Sequence, residues 1–239
     1  MITEKLFKKI KSPQISNSRL AHSKIVQIFF KHGLRGYNFL VSHTPLFQHR
    51  IKGSCGTGNN IHSSAIIDRK NVVIGNFCMI GKNVIIEKNT IIGNHVTIQE
   101  GAVLGSEGFE FRRIAGEIVP IVHTGGVIIH DNVIIGQSVC IDKSSFGNYT
   151  EIGESSYIHA RTNIGHGVRI GKGAVLAQGT IVGGYADIGK QVRIGRDVSL
   201  ADEIILDDEV CVPDCAVVTR DLRKMRNDAG TCPAHPGKD

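Results

Sequence analysis

An aliphatic residue returns at every sixth position along most of the chain. The beat runs through Ile74, Ile80, Ile86, Ile92, Ile98 and Leu104, and resumes at Ile129, Ile135 and Ile141. It then continues unbroken through Ile152, Ile158, Ile164, Ile170, Leu176, Val182, Ile188, Ile194, Leu200, Leu206, Val212 and Val218. Two positions earlier stands a small or β-branched residue, as at Val84, Thr90, Val96, Ala102, Thr162, Val168, Ala174 and Val192. Glycine often follows, as at Gly75, Gly81, Gly93, Gly136, Gly153, Gly171, Gly189 and Gly195. An amphipathic helix needs apolar spacings of three and four, so this period excludes one. Six residues make one short strand and one bend, and three such hexads close a triangular coil of about 18 residues. Each aliphatic residue and the small residue before it then point inward and stack on their equivalents in the next coil. Asn83, Asn89, Gly101, Asn132, Gly173, Gly179 and Asp197 fall at the bends, where left-handed backbone angles suit Asn, Asp and Gly. The expected fold is all-β, a parallel β-helix over residues 59–219.

Two interruptions break the beat. Ser106 to Gly126 must leave the helix as an extruded loop. After Ile141 the segment DKSSFGNYTEIG reads as one residue short of two hexads. Interruptions on the outside of a solenoid are where its sites are built. Residues 1–58 lack the beat, and Asn17 to Gly33 reads as a short amphipathic helix. Residues 220–239 are polar and turn-rich. Both ends are expected to cap the open ends of the solenoid.

Composition narrows the picture. With no Trp, 5% aromatic residues and 28 Gly in a chain that is 41% hydrophobic, the core must be narrow and filled by Val and Ile. The net charge of +6 fits anionic small molecules or a solvated basic surface. The basic residues are scattered and no aromatic stacking platform accompanies them, which argues against nucleic acid. The N-terminus lacks an apolar stretch fit for a secretory signal, and the run from Ile25 to Phe30 is too short to span a membrane. The cysteines at 55, 78, 140, 211, 215 and 232 show no CxxC pairing, so reduced thiols in a cytoplasmic protein are expected, with Cys211 and Cys215 close by chance.

Four segments in order carry a resemblance. GAVLGSEGFEF (Gly101 to Phe111) is similar to GxxIGxxGFGF, and HTGGVIIHDNVIIGQSVCIDKSS (His123 to Ser145) to GxVxIGxxVxIGxxxxIDRG. TEIGESSYIHARTNIGHGVRIG (Thr150 to Gly171) is similar to TxIGxxxxIDNLxxIAHNxxIG, and Pro233 to Pro236 to a PAxP ending. Together they resemble the UDP-3-O-acylglucosamine N-acyltransferases of lipid A synthesis, hexapeptide-repeat enzymes whose helix is left-handed. The resemblance covers roughly Asn59 to Gly237 and the helix near the N-terminus, without most of the family's N-terminal uridine-binding domain. It implies a bacterial cytoplasmic homotrimer, peripheral at the inner membrane. The implied donor is an acyl carrier protein or coenzyme A thioester, the acceptor a nucleotide-linked amino sugar, with no resident cofactor or metal.

The resemblance places His166 on the family's general base. An amine attacking a thioester must lose a proton, and an imidazole titrates near neutrality. His166 lies two residues past the inward Ile164, so it should sit at a bend and face outward. Gly184, 18 residues on, should stack beside it, its N–H free to bind a developing oxyanion. Phe109, Phe111, Arg112 and Arg113 in the loop suit packing on a substrate and pairing with phosphates. Asp142 and Lys143 occupy the family's Asp-Arg position, as sugar or diphosphate contacts or a solvated ion pair. The chain departs from the pattern at His159, in a substrate-binding position where the family has Asp. It departs again at Gly167, where the family has Asn, and at donor-binding Glu203, where it has a second histidine. An acetyl-CoA-dependent sugar N-acetyltransferase and a non-catalytic repeat scaffold fit the same repeats. A zinc carbonic anhydrase does not, because no two of His95, His123, His130, His159 and His166 are five apart.

Overall fold

The computed structural model describes residues 31–36, 53–68 and 70–222. From Ser54 to Val218 the chain winds as a triangular prism, each of its three faces an eight-stranded parallel sheet. One coil places Ile152 on the first face, Ile158 on the second and Ile164 on the third; the next places Ile170, Leu176 and Val182. Most strands are two residues long, too short to pair with a chain neighbour in a hairpin. Their N–H groups are satisfied instead from the next coil, as Arg169 donates to the Ala186 carbonyl and Gly171 to that of Ile188. This is the left-handed parallel β-helix that the resemblance implied.

The core is the column of inward side chains. Ile86, Ile98, Leu104, Ile135, Ile141, Ile158 and Ile164 are fully buried, as are Val84, Val96, Ala102, Val168, Ala174 and Val192 two places earlier. Buried hydroxyls in that earlier position are satisfied locally: Thr90 Oγ1 donates to the Glu87 carbonyl at 2.7 Å and Thr180 Oγ1 to that of Ala177 at 2.8 Å. Most bends put the residue three before the aliphatic one in the left-handed region. All seven expected bend residues are there, with φ between 53° and 76°, but so are Phe77, His95, Arg161, Tyr185 and Glu203. The lattice imposes this conformation on side chains that do not favour it.

Both interruptions leave from the same corner, the one joining the third face to the first. The extruded loop departs after Val103–Ser106 and folds into an antiparallel hairpin of Phe111–Ile114 with Glu117–Pro120. It re-enters at Gly126–Ile129, where Val127 pairs with Thr90 as though nothing intervened. The second break differs from the sequence reading. Ile141 on the third face is followed directly by Ile152 on the first, eleven residues where the usual step is six. It is one hexad with five extra residues at the corner, not two hexads lacking one. Two further expectations change. The lattice begins earlier than residue 59, since Ser54–Cys55 already pairs with Val73–Ile74. Cys211 is disulfide-bonded, whereas Cys55, Cys78, Cys140 and Cys215 are free, so the expectation of six reduced thiols fails at Cys211.

Of the expected helix Asn17–Gly33, only residues 31–33 lie within the described residues, in a helical segment over 31–36; the rest, like the tail beyond 222, lies outside them. Leu34 in that segment is 2% exposed and packs with Ile114, Val119 and Ile121 of the hairpin and with Phe146 of the second insertion. Lys31 and Arg35 both pair with Glu117 in the hairpin. A small second core therefore fastens the hairpin to the flank of the prism.

Truncating Ile158→Ala should lower stability by about 2–5 kcal/mol in urea denaturation, because the cavity lies where the coils on either side cannot collapse. Val217→Ala, 74% exposed on the outer surface, should change it by less than about 0.5 kcal/mol.

Candidate functional site at the interrupted corner

Coil periodicity and the two insertions bring a set of polar side chains to one edge of the prism. His166 follows Ile164 at the corner from the third face to the first, with Gly184 one coil on and Asp202 the next, as the bond from Tyr185 N–H to the His166 carbonyl confirms. A Cβ on Gly184 would lie 2.7 Å from His166 Cε1 and 2.8 Å from Nε2, so the imidazole lies flat against that glycine. The Tyr185 ring meets His166 edge-on at 4.9 Å between centroids. From the other side the extruded loop closes down. Gly108 sits where a Cβ would stand 3.0 Å from His166 Cβ and 2.9 Å from His123 Nε2. The expected outward-facing histidine is therefore covered: its side chain is only 12% exposed.

Glu110 is the hub. Its Oε2 stands 3.6 Å from His166 Nε2 and 3.9 Å from His123 Nε2, and accepts a hydrogen bond from the Tyr185 hydroxyl at 3.3 Å. Its Oε1 pairs with Arg112 at 3.0 Å. The Tyr185 hydroxyl also meets Ser145 Oγ from the second insertion. Burial pushes the Tyr185 phenol up to about 12, beyond what the Ser145 bond offsets, so it stays protonated and able to donate. His123 is wholly buried, its ring 4.9 Å from that of His166, and its Nε2 makes no hydrogen bond. Its Nδ1 lies 3.6 Å from Glu107 Oε1, which also accepts the His123 backbone N–H at 2.9 Å. Glu107 Oε2 pairs with Lys143 at 2.6 Å. Glu110, His123 and His166 bring their donor atoms within 4.8 Å of one another, the geometry of three ligands around one point.

Several expectations about individual residues change. Gly184 does stack beside His166, but its N–H is not free: it donates to Asp202 Oδ1 at 2.7 Å. The cause is a repeated device of this fold, in which an Asn or Asp caps the bend N–H one coil earlier. Asn94 does this for Asn76, Asp208 for Lys190 and Asp214 for Arg196. Asp142 and Lys143 do not pair with each other; Asp142 is half-buried and Lys143 buried. Ser106 Oγ donates to Asp142 Oδ1 at 2.8 Å, burial raises the Asp142 carboxyl above its usual range, and Lys143 is 7% exposed against Glu107. Arg112 is committed to Glu110, while Arg113 lies exposed at the hairpin turn and donates to the Gly116 carbonyl at 3.3 Å. Phe109 and Phe111 stand exposed on the loop with their rings 5.6 Å apart. Glu203 is on the site's edge, exposed beside Gly184, whose carbonyl takes the Glu203 N–H at 2.8 Å. His159 is not with the others. It follows Tyr157–Ile158 of the second face, at a different corner, and its Nδ1 is buried without a hydrogen bond.

Glu110, His123, Tyr185 and Ser145 were not singled out from the sequence. Tyr185 was within reach of coil arithmetic, being one coil beyond Gly167. The other three arrive on insertions, which carry no period.

The balance at Glu107 makes a pH-dependent test. Partial burial pushes its carboxyl up, but the His123 and Lys143 donors outweigh that and hold it at about 2, against 4.5 for the free group. A folded value below the unfolded one adds stability above pH 4.5 that is lost as pH falls toward 2. Glu107→Gln should thus be less stable than the parent at pH 7, with the gap closing across that acid window in urea titrations. The gap should be modest, since the side chain is 56% exposed.

Residues 71–106 and 149–184, the second stretch containing both His166 and Gly184, match the model of the bacterial transferase hexapeptide (six repeats). No curated protein matches the chain. Among solved structures the chain is similar to UDP-N-acetylglucosamine acyltransferase from Bacteroides fragilis, at 23% identity and a TM-score of 0.51 over 69% of this chain and 66% of that one. It is similar also to UDP-N-acetylglucosamine acyltransferase from Arabidopsis, at 17% identity and a TM-score of 0.51 over 72% and 65%. The chain thus spans slightly under two thirds of the length of either enzyme. At these identities the likeness establishes the architecture: the chain is a left-handed β-helix carrying two stretches of bacterial transferase hexapeptide repeats.

Proposed function

We propose that the protein is an N-acyltransferase. It moves an acyl group from a thioester of acyl carrier protein or coenzyme A to the amine of a nucleotide-linked amino sugar of the lipid A type. The observation that carries this reading is the seating of His166: an imidazole held flat on Gly184, facing a carboxylate, at the corner where both insertions meet. The transferase-type repeats on both sides of that corner support it.

In the reaction the amine nitrogen attacks the thioester carbonyl carbon, the C–S bond breaks, and the amine proton passes through His166 to the departing thiolate. Glu110, 3.6 Å from Nε2, stabilises the imidazolium formed midway. Gly184 positions the base by having no Cβ. The exposed Phe109 and Phe111 rings offer an apolar shelf to the acyl chain or nucleotide base. Apolar side chains along the second face, Met79, Ile134, Tyr157 and Val175, are 37–55% exposed and support a homotrimer packed along that face. His159, at its edge, is then a residue one subunit lends to another.

Thiol release from acetyl-CoA and from hydroxyacyl carrier protein, each with UDP-amino-sugars as acceptor, tests the reading and identifies the donor. His166→Ala should lower kcat by roughly 10²–10⁴ with the melting temperature unchanged. Gly184→Ala should also lower kcat, because its Cβ collides with the imidazole. Turnover that survives loss of His166 would remove the proposal.

A further inference from the structure

We infer that Glu110, His123 and His166 form a binding site for a divalent cation of the zinc class. The cation and the acyl-transfer proton would compete for the same imidazole.

Four observations converge. The three donor atoms lie within 4.8 Å of one another, and two of the separations, 3.6 and 3.9 Å to Glu110 Oε2, approach the roughly 3.4 Å edge of a tetrahedron of zinc–nitrogen and zinc–oxygen bonds. Two imidazoles and one carboxylate are donors of the softness zinc, cobalt and nickel select, whereas magnesium and calcium favour oxygen alone. His123 is 0% exposed, and its Nε2, the nitrogen facing Glu110, has no hydrogen bond, an arrangement that costs free energy unless something else satisfies it. The groups behind the ligands are those a metal-bound histidine uses. Glu107 faces His123 Nδ1 on the side away from Glu110, so Nε2 is left to the cation while Nδ1–H points at a carboxylate. Tyr185 O–H and Arg112 steady the Glu110 carboxylate in the same way. Three protein ligands leave one position open to water or a small anion.

The ligands come from two sources, His166 from the repeat lattice and Glu110 and His123 from the extruded loop. A bound cation would therefore bolt the loop onto the prism. It would also occupy the nitrogen that the proposed acyl transfer needs, so transfer, where it occurs, should be inhibited by zinc and restored by chelator.

Chelator-treated full-length protein, titrated calorimetrically with ZnCl₂ and with MgCl₂ as control, tests the inference without reference to activity. One zinc per chain should bind, raising the melting temperature, while magnesium should give no heat. Glu110→Ala and His123→Ala should each weaken zinc binding by at least 100-fold, and Glu107→Gln by about 10–100-fold through His123 alone. His159→Ala, at another corner, should bind as the parent does. Circular dichroism verifies that each variant is folded; if Glu110→Ala is not, Glu110→Gln, which keeps the shape and loses the charge, replaces it. Zinc uptake equal in the parent and in the doubly substituted His123→Ala/His166→Ala protein would overturn the site, as would no uptake by the parent. The two proposals fail separately. Zinc bound at this cluster in a protein whose turnover ignores His166→Ala would sink the acyl-transfer reading alone; turnover lost in that variant while the parent takes up no zinc would sink this one.

Discussion

One contact repeated coil after coil holds this molecule together: an aliphatic side chain resting on its counterpart eighteen residues away, inside a prism too narrow for anything larger. Burial of those columns is the main favourable term available to the described prism. It also fixes the backbone at the corners. Arg161, Gln191 and Glu209 take left-handed angles there that they would not choose alone, each at a cost of about 1–2 kcal/mol. The interior columns and the coil-to-coil hydrogen bonds outweigh that cost because every corner is held from both neighbouring coils.

The same rigidity decides how a site can be made. Inside the prism there is no room, and along the two unbroken corners most bend N–H groups are answered from a neighbouring coil, as that of Gly81 by the Ile98 carbonyl and that of Asn94 by Asp131. Only where insertions leave the lattice can side chains gather, and both principal insertions leave at one corner. The site is therefore composite. His166, Gly184 and Tyr185 are presented by the lattice at a fixed pitch, while Glu107, Glu110 and His123 are delivered by the hairpin loop and Lys143 and Ser145 by the second insertion.

What could be read from the sequence divides along the same line. The hexad positions, the inward residues two places earlier and the bend residues were legible because each obeys a period that the backbone enforces. His166 and its stacking on Gly184 followed from that arithmetic. The state of the Gly184 N–H did not, although Asp202 is also one coil further on; the capping habit becomes visible only once several bends are compared. Glu110 and His123 were out of reach for a different reason. Their position depends on how a hairpin of Phe111–Ile114 and Glu117–Pro120 leans back on the prism, and no spacing rule encodes a lean. A search for histidine pairs close in sequence passed over two rings that meet across more than forty intervening residues. The insertion after Ile141 was misread because counting hexads cannot tell a shortened pair of strands from a lengthened corner.

The small cluster of Leu34, Ile114, Val119 and Ile121 then acquires a significance beyond its size. It is the only apolar anchor among the described residues that ties the hairpin to the segment preceding the repeats. The spacing between carboxylate and imidazole is consequently set in part by how four hydrocarbon side chains seat the hairpin. The lattice half of the machinery is as stiff as a crystal row. The other half is an appendage whose alignment depends on a small apolar clasp that includes Leu34, ahead of the repeats.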